Sequence, residues 1–377
     1  MSELLKTVQP CDCNSGCDNL SYITGYAETS VGDIPVVSTT LDRSDKRDAF
    51  KARWDMGRMD LKVTPGLYAV GNPDDKSNIF VTANYKLSFD HLRKSLVSLD
   101  CWILVLNTFG VNVWCAAGKG TFGTDELLKQ IESTKLAEIV SHRKLILPQL
   151  GAPGVAAHEV KDKSGFKVIY GPVRSADIPA YLENGKKATP EMRRVRFPFA
   201  DRIQLIPVEM LAALKHLKWP ALVFILASGL NSSGYSTSLA ISNGLISVGL
   251  LIAAIIAGAV LMPAMLPYLP GRAFSTKGGF IGLAVAVLTL LSVESLSGTN
   301  FGYFKLAAWT LIIPAIASFM AMNFTGSSTY TSLSGVLKEM KRAVPIQIGA
   351  TVIGLGLWIT GLFLTTGNSI RTLIGGI

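Results

Sequence analysis

A long stretch without any charged side chain constrains this chain more than any other feature. No Asp, Glu, Lys or Arg occurs in residues 219–271, whereas residues 1–218 hold 29 of the 36 Lys and Arg residues and 25 of the 27 acidic ones. A helix needs about 20 consecutive apolar residues to cross a bilayer. The sequence therefore predicts a polar, folded part that is followed by a membrane domain.

Five apolar segments in the second half are predicted to cross the membrane as helices: residues 218–230, 239–265, 279–296, 303–324 and 343–364. The first segment is short, and we expect it to extend back towards Leu211. Ionisable residues within spans mark transport pathways, and Glu294, the one acid near a span, lies at its end. The pattern favours an anchor or docking platform over a transporter.

The basic residues around these segments predict their orientation. Seven fall on one side (Lys215, Lys218, Arg272, Lys277, Lys338, Lys341 and Arg342), and Lys305 and Arg371 fall on the other. Basic loops stay in the cytoplasm, and the chain opens without the pattern of a secretory signal. We therefore expect a multi-pass protein of the cytoplasmic (inner) membrane, with the soluble domain inside and the C-terminus outside.

The polar part shows strands that alternate with helices. Strands are predicted at 79–83, 102–106, 144–147 and 166–170, and helices at 89–99, 124–132 and 155–160. This alternation is typical of an α/β fold with a doubly wound, mostly parallel sheet, Rossmann-like or flavodoxin-like. We divide the chain into a flexible tail (1–40), an α/β domain (41–210) and an all-α transmembrane domain of five helices (211–377).

One cysteine follows a predicted strand and precedes a run of glycines, in the string Asn-Val-Trp-Cys-Ala-Ala-Gly-Lys-Gly from Asn112 to Gly120. If Asn112 caps a short helix, Cys115 lies in its first turn, where the helix dipole favours a thiolate. Such a thiolate could be a nucleophile, a redox thiol or a metal ligand. A small buried residue beside a tight turn remains the alternative.

This string resembles the cap-helix signature of HgcA, the family of membrane-bound corrinoid proteins of the mercury-methylation pair. The likeness continues through residues 81–86, 147–154 and 170–173, and it includes the layout of a soluble domain followed by membrane spans. The soluble part is similar, more distantly, to the corrinoid domain of the large subunit of the corrinoid iron–sulfur protein.

The resemblance implies a cofactor and a set of residues that hold it. The cofactor is a cobalamin-type corrinoid, and Cys115 is the catalytic residue and the lower axial ligand of its cobalt. Residues at the ends of the predicted strands would form the cofactor site: Thr82, Asn84, Asn112, Val113, Trp114, Cys115, Ala116, Ala117, Gly118, Lys119, Gly120, Gly151, Gly154 and Gly171.

The resemblance also implies a reaction and partners. The chain would be a corrinoid-dependent methyltransferase that accepts a methyl group from a methyltetrahydrofolate-type donor or its enzyme and passes it to Hg(II), forming methylmercury. A small ferredoxin-like protein with [4Fe–4S] clusters would supply electrons. A thiolate is a softer donor than imidazole, which suits methyl transfer to a thiophilic metal ion.

Two other functions stay open from the sequence. One is a membrane-attached methyl carrier of the acetyl-CoA pathway. The other is a nucleotide-binding membrane module, because Gly118, Gly120 and Gly123 form a Gly-x-Gly-x-x-Gly pattern. A nucleic-acid partner is not expected, since no block of Lys and Arg interleaves with aromatic residues.

Several residues keep alternative roles. Thr82 and Asn84 could hydrogen-bond the corrin or simply belong to a turn, and Lys119 could meet a cofactor amide or phosphate or remain solvated. Cys101, at the start of a strand, is expected in the core. The tail cysteines Cys11, Cys13 and Cys17 could relay Hg(II) or be incidental, and they lack the fourth ligand usual for a cluster or zinc.

Overall fold

A computed structural model of the protein describes residues 21–297, 302–324 and 333–364. The chain divides after Val195 into two compact units. The three tail cysteines and Arg371 lie outside the described residues, so their predicted roles stay predictions.

The first unit is a seven-stranded sheet with helices on both faces. Its strands are β1 (Ile23–Thr29), β2 (Gly32–Val37), β3 (Gly66–Val70), β4 (Asn78–Ala83), β5 (Cys101–Leu106), β6 (Lys144–Leu147) and β7 (Lys167–Tyr170). Its helices are α1 (Arg43–Arg53), α2 (Lys86–Lys94), α3 (Val113–Lys119), α4 (Thr124–Ser133), α5 (Leu136–Ile139), α6 (Ala157–Ser164) and α7 (Ile178–Glu183), with 3-10 turns at Gln149–Gly151 and Ser175–Asp177.

Four neighbouring strands form the parallel part of this sheet. The spatial order is β1-β2-β3-β5-β4-β6-β7, and the pairs β5·β4, β4·β6 and β6·β7 are parallel. Numbered along the chain, the parallel strands run 2-1-3-4, as in flavodoxin-like sheets. The direction in which the chain adds strands to the sheet reverses between β4 and β6. Ligands of such sheets bind outside the carboxyl ends of the strands at this switch point.

The other strands differ from the prediction. β1 and β2 form an antiparallel hairpin within the segment expected to be tail, and β3 pairs antiparallel with β5, so the sheet is mixed. The tail prediction was therefore wrong for Ile23–Val37. Side chains of β1 alternate between half-buried and exposed, and such a two-sided edge strand gives a weaker hydrophobic signal than a buried one.

Two apolar layers hold the unit together, one on each face of the sheet. On one face, Trp102 and Leu104 of β5 pack with residues of α3, α4 and α6. On the other, Ile103 and Val105 of the same strand pack with Phe89 of α2 and with α7. Because alternate residues of one strand enter opposite layers, the sheet is doubly wound, as the sequence predicted.

The second unit is helical. Its helices are α8 (Phe199–Ile203), α9 (Ile206–Ala227), α10 (Thr237–Ile256), α11 (Met262–Met265), α12 (Phe274–Ser297), α13 (Tyr303–Asn323) and α14 (Leu333–Phe363), with a π-helical turn at Ala257–Leu261 between α10 and α11. Two short strands, β8 (Leu230–Asn231) and β9 (Gly234–Tyr235), form a hairpin after α9.

Among the described residues, five helical segments are long and apolar enough to cross a membrane: Phe199–Ala227, Thr237–Met265, Phe274–Val293, Tyr303–Asn323 and Gly335–Phe363. Their number agrees with the prediction. The first begins earlier than predicted and ends at Ala227, because Gly229 and the turn residues after it form the β8–β9 hairpin.

Candidate functional site

The site is built around the short helix α3, which follows β5 at the carboxyl edge of the sheet. Asn112 is its N-cap, and the Asn112 side-chain oxygen accepts a hydrogen bond of 2.9 Å from the backbone N–H of Cys115. Cys115 is therefore the third residue of the first turn, and its side chain is exposed. The predicted capped helix with the cysteine in its first turn is confirmed.

The two faces of α3 have opposite environments. Val113, Ala116 and Ala117 are at most 8% exposed and belong to the core cluster on this face of the sheet. Trp114, Cys115, Gly118 and Lys119 are exposed. The helix is thus fixed by one face and presents the thiol on the other, and contact of the three buried residues with a cofactor stays a prediction.

The loop before α3 is organised by Asn84, which follows β4 and is 3% exposed. Its side-chain oxygen accepts hydrogen bonds from the backbone N–H and the hydroxyl of Thr108 (3.0 and 2.9 Å) and from the backbone N–H of Gly110 (3.0 Å). The Thr108 hydroxyl also lies 2.7 Å from the carbonyl oxygen of Val111, so its single hydrogen is shared between Asn84 and Val111. The structure thus shows the loop-forming role of Asn84, and a hydrogen bond to a corrin stays a prediction for Asn84 and for Thr82. Thr82 is buried within β4.

The glycines around α3 serve different purposes. Gly120 ends the helix in the left-handed region at φ +80°, which glycine adopts without strain. A Cβ on Gly118 would have no heavy atom within 4 Å. The pattern Gly118-x-Gly120-x-x-Gly123 therefore runs from the last turn of α3 to the N-cap of α4 and does not form a tight strand-to-helix turn, which counts against the nucleotide-binding alternative.

Gly151 and Gly154 pack against the far side of this region. A Cβ on Gly154 would overlap the carbonyl oxygen of Phe122 and lie 3.0 Å from the Cα of Ala117, and one on Gly151 would lie 2.5 Å from the Phe122 ring. These glycines allow the segment after β6 to approach α3 closely. A direct contact with a cofactor stays a prediction for both.

The switch point of the sheet carries a polar atom without a partner. Gln149 opens the turn after β6, and its side-chain oxygen is buried with no hydrogen bond among the described residues. Gly171 follows β7, and its backbone N–H donates to the carbonyl of Leu147, the last residue of β6. A buried unpaired acceptor usually signals a missing donor, and the Gln149 oxygen is therefore a candidate acceptor for a polar ligand group at this edge.

These observations fit a flat metal macrocycle. An axial ligand requires one exposed donor, which Cys115 supplies, and the neighbouring Gly118 leaves the helix surface open. In the described part of the chain, no group of three or more His, Cys, Asp or Glu could hold a bare metal ion.

The second described cysteine has a different environment. Cys101 is 1% exposed at the start of β5, and burial, with a contribution from the charge of Asp100, raises the pKa of its thiol to about 12. The predicted core position is confirmed. Such a thiol stays protonated and is a poor ligand.

A buried ion network supports the neighbouring helix α2 and was missed from the sequence. Lys86 and Arg93 of α2 each contact the carboxylates of Asp45 and Asp90 at 2.6–2.8 Å, and all four residues are nearly inaccessible. Burial alone would raise the pKa of Asp45, but hydrogen bonds from Lys86 and Arg93 outweigh it and lower the pKa to about 2. The network fixes the helix that follows Asn84.

Residues 55–182 match the CdhD family, described as the CO dehydrogenase/acetyl-CoA synthase delta subunit. The match runs from the end of α1 to α7 and includes α3 and Cys115.

Curated relatives resemble the same region. The gamma subunit of the acetyl-CoA decarbonylase/synthase complex from Methanopyrus kandleri is 35% identical over 124 residues, which are 32% of this chain and 26% of the relative. The corresponding subunit from Archaeoglobus fulgidus is 36% identical over 128 residues, 33% of this chain and 27% of the relative. The chain thus spans about a quarter of the length of these relatives.

The matches support one expectation from the sequence and leave another untested. The expected cofactor class is confirmed, since subunits of this family bind a corrinoid. They support the corrinoid part of the resemblance noted in the sequence, whereas they do not address the mercury-methylation family. The membrane helices lie outside the matched region.

Proposed function

We propose that this protein is a membrane-attached, corrinoid-dependent methyltransferase in which the Cys115 thiolate is the lower axial ligand of the cobalt. The observation that carries the proposal is the exposed thiol in the first turn of a helix whose opposite face is buried. The similarity of residues 55–182 to corrinoid-binding subunits supports it.

Each residue of the site then has a stated task. When bound, the corrinoid supplies a cobalt centre that carries the methyl group. Asn112 holds the first turn of α3 and thereby the position of the Cys115 sulfur, which would hold the cobalt of the bound corrinoid. Gly118 leaves space beside it, and Lys119, exposed one turn further on, is placed to pair with an amide oxygen or phosphate of the cofactor.

The cysteine also suggests the acceptor, and here we propose Hg(II). Thiolate is a soft, strongly donating ligand, and it would favour release of the methyl group with its electron pair to a soft, thiophilic cation. The signature string around Cys115 and the five apolar helices support the same acceptor, because both belong to the resemblance with the mercury-methylation family. Methylmercury would be the product.

A second acceptor is favoured by the comparisons. The curated relatives are subunits of acetyl-CoA decarbonylase/synthase complexes, so a methyl carrier that serves such a complex is the alternative function. In either case a methyltetrahydrofolate-type donor or its enzyme would supply the methyl group. A ferredoxin-like [4Fe–4S] protein would supply the electrons that keep the cobalt active.

The axial-ligand proposal is tested by spectroscopy on the full chain loaded with corrinoid. Cys115→Ala should abolish the cobalt–thiolate absorption and the methyl transfer, and Cys115→His should retain corrinoid but transfer poorly. Cys101→Ala, the matched control at the buried cysteine, should keep the spectrum. An unchanged spectrum in Cys115→Ala would refute the assignment.

The methyl acceptor is tested with the full chain after it has been loaded with a methylated corrinoid. Incubation with Hg(II) should give one methylmercury per corrinoid, measured by chromatography, and incubation with an acetyl-CoA-forming complex should give no acetyl-CoA. The reverse result would establish the methyl carrier.

The membrane orientation is a further part of the proposal. We propose that the α/β domain lies in the cytoplasm and the C-terminus outside, because the basic residues cluster at one side of the spans. Reporter domains fused to the two termini should read as internal and external respectively. Matching locations would indicate an even number of crossings.

A further inference from the structure

A cavity of about 580 Å³ opens within the helical unit, between the first turn of α12, the second half of α13 and the first half of α14. Its wall combines cationic side chains with buried polar ones. The corrinoid site and its residues belong to the other unit, so this cavity has no part in the chemistry proposed above.

The mouth of the cavity is positively charged. Arg272, Lys338 and Arg342 line it, all three are exposed, and among the described residues none of them forms an ion pair. Lys338 and Arg342 are four residues apart on α14 and therefore share one helix face, where like charges repel each other. A bound anion would remove this repulsion.

The one acidic residue of the wall is already engaged. The carboxylate of Glu339 accepts a hydrogen bond from the backbone N–H of Ser275, in the first turn of α12. It therefore fixes α14 against the start of α12, and it leaves an excess of positive charge in the cavity. The positive end of the α12 dipole adds to this field.

The inner end of the cavity is polar and buried. Gln347 and Ser318 are 7% and 8% exposed, and the Gln347 side-chain nitrogen donates to the Ser318 hydroxyl at 2.7 Å. The Gln347 side-chain oxygen is buried and has no hydrogen-bond partner within the described part of the chain. A buried acceptor without a donor is costly, so the cavity is suited to a ligand that brings a hydroxyl group along with its negative charge.

The surroundings indicate a lipid and not a soluble anion. Ile346 lines the cavity and is 71% exposed, and Ile353, seven residues further on along the same face of α14, is 60% exposed. This surface lies within the segment apolar enough to span the membrane. An acyl chain can therefore lie along α14 while the headgroup occupies the cationic cavity.

The position along the spans agrees with this assignment. Arg272, Lys338 and Arg342 belong to the basic side of the membrane domain, which the charge distribution places at the cytoplasmic leaflet. Basic pockets between membrane helices on that side bind anionic headgroups. We propose that this cavity binds an anionic glycerophospholipid, with its phosphate among the three cations and a glycerol hydroxyl donating to the oxygen of Gln347.

The proposal is tested by native mass spectrometry of the full chain in detergent, with phosphatidylglycerol and phosphatidylcholine added in equal amounts. The wild type should retain one phosphatidylglycerol preferentially. The double variant Lys338→Gln, Arg342→Gln should lower that retention about tenfold, because two of three phosphate partners are lost. Lys341→Gln, which removes a neighbouring exposed lysine outside the cavity wall, should keep it.

Two further experiments distinguish phosphatidylglycerol from phosphatidic acid and from free phosphate. Gln347→Leu should reduce the preference for phosphatidylglycerol over phosphatidic acid, which lacks the glycerol headgroup. Inorganic phosphate at millimolar concentration should leave the lipid bound, whereas its displacement would identify a site for free phosphate. Equal retention of the two added lipids by the wild type, or an equal loss in Lys341→Gln, would overturn the proposal. Binding is read without corrinoid, so the outcome is independent of Cys115.

Discussion

The side-chain oxygen of Asn112 lies 2.9 Å from the backbone nitrogen of Cys115 and accepts its hydrogen. The cap therefore belongs to the same turn as the exposed thiol, and the conformation of that turn depends on it. Since α3 has seven residues, its own hydrogen bonds are few. The cap and the buried face of the helix together determine where the sulfur lies.

Asn112→Ala removes the cap and leaves the Cys115 thiol in place, so it tests whether the cap positions the thiol. Loss of an N-cap costs about 1 kcal/mol, so the protein should fold but bind corrinoid more weakly, about tenfold, because the first turn of α3 frays. Asn112→Asp keeps the accepting oxygen and should retain most of the affinity. Corrinoid titration of the full-length variants measures both. Equal loss in the two variants would show that the amide acts in some way other than as a cap.

Replacing Asn84 should lower the free energy of unfolding, although the residue lies outside the helices and strands. Asn84→Ala leaves the backbone N–H groups of Thr108 and Gly110 without their acceptor, whereas the Thr108 hydroxyl can still donate to Val111. The cost should be about 3 kcal/mol. Hydrogen–deuterium exchange of the β4 and β5 amides in the full chain should show this loss. Asn107→Ala removes longer hydrogen bonds of the same loop. It should change the opening free energy that exchange reports by less than about 1 kcal/mol. Similar effects of the two substitutions would contradict the assigned role.

Local patterns predicted the parallel half of the sheet because its strands are buried runs bounded by turns. The predicted strand at 144–147 coincides with β6, and β4, β5 and β7 are within a residue or two of prediction. The β1–β2 hairpin escaped, since its side chains are partly exposed on an edge. Nothing in a local window identifies such a strand without its partner.

The site was predictable to the extent that it depends on neighbouring residues. Asn112 and Cys115 are three residues apart, so the cap could be read directly from the sequence. The role of Asn84 depends on Thr108 and Gly110, which are 24 and 26 residues away. The network of Asp45 and Lys86 joins residues 41 apart. Contacts of that range follow from the folded sheet and not from spacing.

Acid should weaken the first unit through Asp45. Its pKa in the fold is about 2, below the ordinary value of 3.8, so the stabilisation is present above about pH 4 and is lost as the pH falls through about 2. The shift corresponds to about 2 kcal/mol. Hydrogen–deuterium exchange of the α2 and β4 amides between pH 5 and pH 2.5, corrected for the intrinsic rate, should show part of this loss.

The neutral variant supplies the comparison for that experiment. Asp45→Asn should lower stability at neutral pH by about 3 kcal/mol, because Lys86 and Arg93 stay buried with one carboxylate between them, and it should flatten the acid dependence. Asp48→Asn, on the same helix and without an ion pair in the described structure, should leave both unchanged. Acid sensitivity that persists in Asp45→Asn would assign it to other groups.

Two glycines near Cys115 should respond oppositely to alanine. A Cβ on Gly154 would overlap the carbonyl of Phe122 and crowd Ala117, both of them backbone contacts that cannot yield cheaply, so Gly154→Ala should cost about 1–3 kcal/mol of stability. Gly118 lies in α3 with open space above it, and Gly118→Ala should preserve or raise stability by up to about 1 kcal/mol.

If the macrocycle rests on this face, the methyl group added by Gly118→Ala should nevertheless lower corrinoid affinity. Exchange protection and corrinoid titration of the same two full-length variants separate packing from cofactor contact. Unchanged affinity in Gly118→Ala would place the macrocycle elsewhere than over the exposed face of α3.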